Sequence, residues 1–154
     1  MGNGVDCVIC TRFRNVLHHE GSVGGYLCED EHWYAYHAPV QTSALGQLFL
    51  VSKRHYLDFT EMASDEAAGY GLMLRRLYTA LKDVTQAERV YAQVILEGIA
   101  HFHVWPIPRR ADAGERGWDF ITKERSCSAA DATEVVKQLR SALDNMSRIS
   151  TIHT

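Results

Sequence analysis

The sequence predicts an α+β fold: five short strands in an antiparallel sheet, a long central helix between the third and fourth strands, and a C-terminal helix. Short β-branched or aromatic runs come in pairs separated by turn signals, which reads as hairpins rather than parallel crossovers. Two longer stretches, about 64–81 and 128–146, repeat apolar residues at helical spacing. The resulting order, strand-strand-strand-helix-strand-strand-helix, places both helices over one face of the sheet.

Taken in order, residues from Cys7 to about Gly25 are polar, lack sustained periodicity and read as loop, opened by the Cys7-x-x-Cys10 knuckle. Tyr26–Cys28 and His32–His37 form a hairpin across the acidic Glu29-Asp30-Glu31 turn. The continuous apolar run Leu48–Val51, bounded by Gly46 and Lys53-Arg54, predicts a central strand buried on both faces. Ser64 is the expected N-cap of the central helix, with Asp65 and Glu66 on its positive end and Leu74, Leu77 and Leu81 on its buried face. Val90–Leu96 and His101–Ile107 form the second hairpin around Gly98, where Pro106 should shorten the strand or cost a ladder bond. A charged, Gly-containing loop spans Ala111–Gly117, ahead of Trp118. The last helix starts near Ser128, with Asp131 completing a capping box and Val136, Leu139 and Leu143 in its apolar stripe, and Ser147–Thr154 should fray.

At 154 residues and 46% hydrophobic content, one domain is expected: an arm over 1–25, a core over 26–110 and a loop with its helix over 111–154. No apolar run approaches the roughly 20 residues that cross a bilayer, and MGNGVDCVIC lacks the pattern of a secretory signal. Asp6 stands where N-myristoylation after Gly2 needs Ser or Thr, so a cytoplasmic protein without membrane attachment is expected. A net charge of −3, with both signs interspersed, argues against a nucleic-acid surface. Four cysteines without export features read as metal ligands or core thiols, not as a disulfide framework.

The chemistry concentrates in His101-Phe102-His103-Val104-Trp105, where strand periodicity sends both histidines to one face and Phe102 and Val104 to the other. From spacing alone, a hydrogen-bonded packing pair and a reactive pair are equally open. Cys7-x-x-Cys10 by itself is compatible with a redox pair, half a zinc site or unrelated thiols. Cys28 and Cys127 have no partner at ligand spacing and read as small apolar residues.

The segment AHFHVWPIPRR resembles the histidine-triad (HIT) signature, matching it at His101, His103, Pro108 and Arg109. The resemblance continues back through VYAQVILEG and GQLFLVSKRHYLDFTEM and covers roughly Tyr26–Arg110. It implies a HIT-like fold, pairing as a homodimer, and a nucleotide or nucleotide conjugate held over the histidine strand. It also implies that His103 attacks the α-phosphate to give a nucleotidyl-histidine intermediate. This is sensible for a neutral imidazole near pH 7. By similarity to galactose-phosphate uridylyltransferases and bacterial histidine-triad proteins, Cys7, Cys10, His55 and His101 are expected to gather around one structural zinc ion.

Three positions depart from the pattern. Trp105 replaces the third histidine, Gln47 stands where a histidine often follows Gly46, and Glu97-Gly98-Ile99-Ala100 replaces the usual phosphate loop. Indole offers one N–H donor and no titrating proton, so Trp105 can hold a phosphate oxygen but cannot act as a general acid. Gln47, Trp105 and Arg109 are the expected substrate contacts. Gln47 reads equally as a satisfied buried amide, and Arg109 and Arg110 as solvated charges. Trp33, Tyr36 and His37 read first as packing, with base stacking as the other role. The expected function is a nucleotide hydrolase or nucleotidyl transferase acting at the α-phosphate. Its rivals are a non-catalytic nucleotide sensor, a zinc-clipped homodimeric scaffold, and a repurposed enzyme with a non-nucleotide substrate.

Overall fold

The computed structural model describes residues 7–14 and 22–152, so the expectation for Gly2 and Asp6 lies outside the described residues. Five strands, β1 (Tyr26–Glu29), β2 (Trp33–His37), β3 (Leu48–Ser52), β4 (Ala87–Gln93) and β5 (His103–Arg110), form one antiparallel sheet in the order β1-β2-β3-β5-β4. The helices are α1 (Val8–Arg14), α2 (Ser64–Thr85), α3 (Gly117–Ile121) and α4 (Ala129–Ile152), with single 3-10 turns at Phe59–Glu61 and Ala111–Ala113. No helix among the described residues is long and apolar enough to cross a membrane.

β3 is the central strand, and every one of its residues is buried, because the sheet is covered on both sides. Leu48 and Leu50 face α2 and α4, where they meet Leu77, Leu81, Leu139 and Leu143. Phe49 and Val51 point the opposite way and pack with Tyr36 and Ile9. Phe102 sits on the helix side, 0% exposed, ringed by Trp33, Tyr56, Phe59 and Tyr70 at centroid distances of 5.9, 5.4, 4.9 and 6.0 Å. Phe102→Ala is expected to cost about 3–5 kcal/mol, roughly 10 °C in melting temperature, since this aromatic box cannot collapse onto a methyl group. A thermal melt within a degree or two of wild type would show that the box contributes little.

Several element boundaries differ from the sequence reading. The arm expected to be loop contains α1, a seven-residue helix in which, among the described side chains, Ile9 is the buried apolar one. Ser64 is the first helical residue rather than the cap. Ala63 is the cap, and the Glu66 carboxylate accepts its N–H at 2.8 Å while holding Arg54 at 2.6 and 2.8 Å. In the second hairpin β4 stops at Gln93 and β5 begins at His103. The intervening backbone bonds elsewhere: His101 N–H donates to Ile99 at 2.8 Å and Phe102 N–H to Tyr56 at 2.8 Å. Pro106 does not end β5, which pairs with β4 as far as Arg110. Pairing with β3 is confined to Val104 and His103, before the missing N–H of Pro106. α4 extends past Ser147 to Ile152, and Arg76 donates to the Ser147 hydroxyl at 2.9 Å.

The β2–β3 connection is set by His37. Its Nδ1–H donates to the Ala38 carbonyl at 2.6 Å, and its Nε2 accepts the Gly46 N–H at 3.0 Å. Gly46 has φ +80°, a conformation that favours glycine. Only a neutral imidazole serves both bonds, and burial holds the His37 pKa below its ordinary value. The unfolded chain therefore takes the proton first. Stability is whole above about pH 6.5 and declines as pH falls below it. Urea titrations should show wild type losing about 1 kcal/mol more than His37→Gln between pH 7 and pH 5, and equal losses would remove His37 from the account.

Candidate metal centre and histidine strand

Cys7 and Cys10 at the start of α1, His55 after β3, and His101 before β5 bring their ligand atoms within 4.8 Å of one another. Cys7 Sγ lies 3.4 Å from His101 Nδ1, while Cys10 Sγ lies 3.4 Å from His55 Nδ1 and 3.5 Å from His101 Nδ1. The two Nδ1 atoms are 3.2 Å apart. With metal bonds of about 2.3 Å to sulfur and about 2.0 Å to nitrogen, a tetrahedral zinc site spaces S and N about 3.5 Å apart and two nitrogens about 3.3 Å apart. The Cys7–His101, Cys10–His55, Cys10–His101 and His55–His101 distances match those edges, and a donor set of two thiolates and two imidazoles suits zinc.

The surrounding bonds prepare His101 for this role. Its Nε2–H donates to the Ser52 carbonyl at 2.7 Å, which leaves the lone pair on Nδ1, the atom that faces the sulfurs. Burial, followed by the neighbouring His55 and His103, pushes its pKa down to about 4, so the imidazole is neutral. Ser52 carries no side-chain signal for this task, because its backbone carbonyl performs it.

His103 opens β5, pairs across the sheet with Val51 and is 1% exposed. Its Nδ1–H donates to the His101 carbonyl at 2.7 Å, so the lone pair sits on Nε2, which no described residue hydrogen-bonds. Burial lowers its pKa and keeps the ring neutral. The ring centroid lies 4.7 Å from Phe49, and the Trp105 indole meets it edge-on at 5.5 Å. His103 and Trp105 thus share the face opposite Phe102 and Val104, as strand periodicity predicts.

Gln47 and Trp105 are brought together on the wall of a polar cavity of about 220 Å³. Gln47 Oε1 accepts the Ala44 N–H at 3.2 Å. Arg109 is not brought to this group. It lies six residues beyond His103 on β5, roughly 20 Å away at strand spacing. It is 3% exposed rather than solvated, ion-paired to Glu88 at 2.6 Å, with Nη1 donating to Arg110 at 3.1 Å. Arg110 is exposed and pairs with Asp112 at 3.1 Å. Trp33 is a core residue whose Nε1–H donates to the Glu66 carbonyl at 3.3 Å, and Tyr36 packs on Phe49, so the packing reading describes both. The sequence reading missed Ser43, Gln93, Lys123 and Arg125, which complete the cavity wall from three separate segments. No local pattern links them.

No family model matches the sequence, and a comparison with curated proteins gives no match. Solved structures do match. A Zn-bound histidine triad family protein from Mycobacterium smegmatis superposes with a TM-score of 0.70 at 18% identity, over 96% of this chain and 99% of that one. The chain has the histidine-triad fold. A hypothetical histidine triad nucleotide-binding protein from Sulfolobus tokodaii aligns with a TM-score of 0.70 at 20% identity, over 92% of this chain and 95% of that one. A Plasmodium falciparum diadenosine triphosphate hydrolase aligns at 0.59 and 11% identity, over 78% and 76%. In histidine-triad terms, the five-stranded antiparallel sheet and its two long helices are the architecture the signature implied.

Proposed function

We propose that this protein cleaves or transfers a nucleoside monophosphate through a covalent intermediate on His103. The observation that carries the reading is the imidazole's fixed tautomer: Nδ1–H is tied to the His101 carbonyl, and an unpartnered Nε2 lone pair lies on a histidine-triad sheet. Nε2 attacks the α-phosphorus, forming a P–N bond as the bond from phosphorus to the leaving group breaks and its electron pair departs with that group. Water then attacks the same phosphorus, loses a proton to solvent and returns the electron pair to Nε2, releasing the monophosphate. Trp105 has no proton to give the leaving group, which favours phosphoanhydrides, whose leaving oxygen departs as an anion. The hydrolase title of the Plasmodium protein and the nucleotide-binding title of the Sulfolobus protein support this reading.

Cys7, Cys10, His55 and His101 are proposed to hold zinc. Four protein ligands leave no position for a substrate water, so the ion supplies structural cross-linking and not Lewis-acid chemistry. On the protein side, the cross-link fixes His101, whose carbonyl orients His103.

The test is nucleoside monophosphate release from a panel of dinucleoside polyphosphates, nucleotide sugars and nucleoside phosphoramidates, with mass spectrometry of acid-quenched protein to find a nucleotide on His103. Turnover with a trapped adduct is expected. A second reading, a nucleotide sensor without turnover, draws on the burial of His103 between Phe49 and Trp105. Thermal stabilisation by nucleotides without any release would favour it and overturn the first.

A further inference from the structure

We infer that the Ser52 hydroxyl and the Arg54–Glu66 ion pair are positioning groups of the metal centre, which set the spacing of His55 and His101 and thereby the affinity of the site for zinc. This rests on the zinc reading above. The two histidines come from turns that the sheet does not pair: β3 meets β5 at Leu50–Val104 and Val51–His103, and both ligands lie beyond that ladder. Their separation is therefore fixed by bonds between the two turns, and those bonds run through Ser52. Its N–H donates to the Phe102 carbonyl at 3.2 Å, its carbonyl accepts His101 Nε2–H at 2.7 Å, and its hydroxyl donates to the Arg54 carbonyl at 2.8 Å, with the Phe102 carbonyl at 3.2 Å. The Arg54 carbonyl belongs to the peptide that leads into His55, and the Phe102 carbonyl to the peptide that leads into His103. One hydroxyl thus joins the turn of one ligand to the strand head that follows the other. Ser52 is 1% exposed at the end of a strand whose other residues are apolar, and a polar group buried there is retained for the bonds it makes.

The second support reaches His55 from its own side. Arg54 Nε and Nη2 grip the Glu66 carboxylate at 2.8 and 2.6 Å, and Nη2 also donates to the Glu61 carbonyl at 2.6 Å. Glu66 is 6% exposed and fixed in the first turn of α2, where it also accepts the Ala63 N–H at 2.8 Å. The Glu61 carboxylate accepts the N–H groups of Leu57 and Asp58 at 2.9 and 3.1 Å, so the turn is pinned on both sides of the ligand. The Arg54 guanidinium lies 4.6 Å over the Tyr56 ring, and the Tyr56 carbonyl accepts Phe102 N–H at 2.8 Å. His55 therefore sits between two residues that are each tied elsewhere, one to α2 and one to the approach to β5. A planar, two-toothed guanidinium fixes direction as well as distance, which a lysine ammonium does not. Partners behind a metal-binding histidine hold its ring at the ligand geometry, and losing one lowers metal affinity.

Zinc affinity of the full-length protein, measured by competition with a chromophoric chelator, is the first readout, and the visible spectrum of the cobalt(II)-substituted protein is the second. Ser52→Ala removes the hydroxyl and keeps the backbone bonds; it is expected to weaken zinc binding about tenfold or more and to alter the tetrahedral cobalt bands. Arg54→Gln and Arg54→Lys are each expected to weaken zinc about fivefold, and because the Arg54 side chain is half exposed they test the second support if Ser52→Ala folds poorly. Leu143→Ala, a core change on α4, serves as the control: it should lower the melting temperature and leave zinc affinity within about twofold. Zinc affinity and cobalt spectra unchanged in the Ser52 and Arg54 variants, or a loss of affinity in Leu143→Ala as large as theirs, overturn the positioning role while the metal centre stands. Wild type that binds neither zinc nor cobalt overturns the metal centre itself, and the positioning role with it.

Discussion

His103→Ala protein is expected to fold, retain its metal and release nucleoside monophosphate roughly 10³-fold or more slowly than wild type, because the variant lacks the Nε2 lone pair that forms the bond to phosphorus. The fold tolerates the change at a cost. A 1% exposed imidazole packed on Phe49 leaves a cavity, and the His101 carbonyl loses its donor, which together cost about 2–4 kcal/mol. His103→Gln, which refills most of the volume, should recover much of the melting temperature and none of the turnover. That separation of stability from activity marks a chemical role. If activity followed melting temperature across the two variants, His103 would be a packing residue and the covalent mechanism would be wrong.

Cys10→Ala is expected to lose the metal and melt about 10 °C or more below wild type, and chelation of wild type should give the same state. Cys10 Sγ is the donor that lies close to both imidazoles, 3.4 Å from His55 Nδ1 and 3.5 Å from His101 Nδ1. Without a cation, those two nitrogens are 3.2 Å apart, and the Ser52 carbonyl already holds the His101 proton on Nε2. A metal held by Cys7 and Cys10 would also tether α1, beside the contacts of Ile9 with the sheet and of Arg12 with the Tyr36 ring. A seven-residue helix gains little from its own backbone bonds, and of its described side chains Ile9 alone is buried against the sheet. Metal loss should therefore expose Phe49 and Val51 and raise hydrogen exchange in α1 before the rest of the fold opens. Elemental analysis of wild type should find about one zinc per chain. A Cys10→Ala protein with unchanged zinc and an unchanged melt would remove the metal centre.

Much of the architecture was legible because strand and helix periods are local. β3 reads as a buried run, the α2 and α4 stripes recur at helical spacing, and His103 and Trp105 share a face by the period of two. The four metal ligands were legible from residue types and from resemblance, and the fold brings them together. What stayed hidden is non-local. α1 has too few buried residues to carry a period, and Glu66 caps α2 because Arg54 and Ala63 meet it. Arg109 could be read as a phosphate contact or a solvated charge. Its burial against Glu88 follows from the register of β4 on β5.

The sequence supplied the donors: two thiols three residues apart, a histidine after the central strand, and alternating histidines ahead of and on β5. Tertiary structure decided what each can do. The Ser52 and His101 carbonyls set which nitrogen of His101 and His103 keeps its lone pair, and the connections around 42–47, 93 and 121–125 close a polar cavity beside Trp105. The reason is physical. Side-chain periodicity is a property of the local backbone, whereas hydrogen-bond partners and cavity walls are supplied by segments that meet only when the sheet forms.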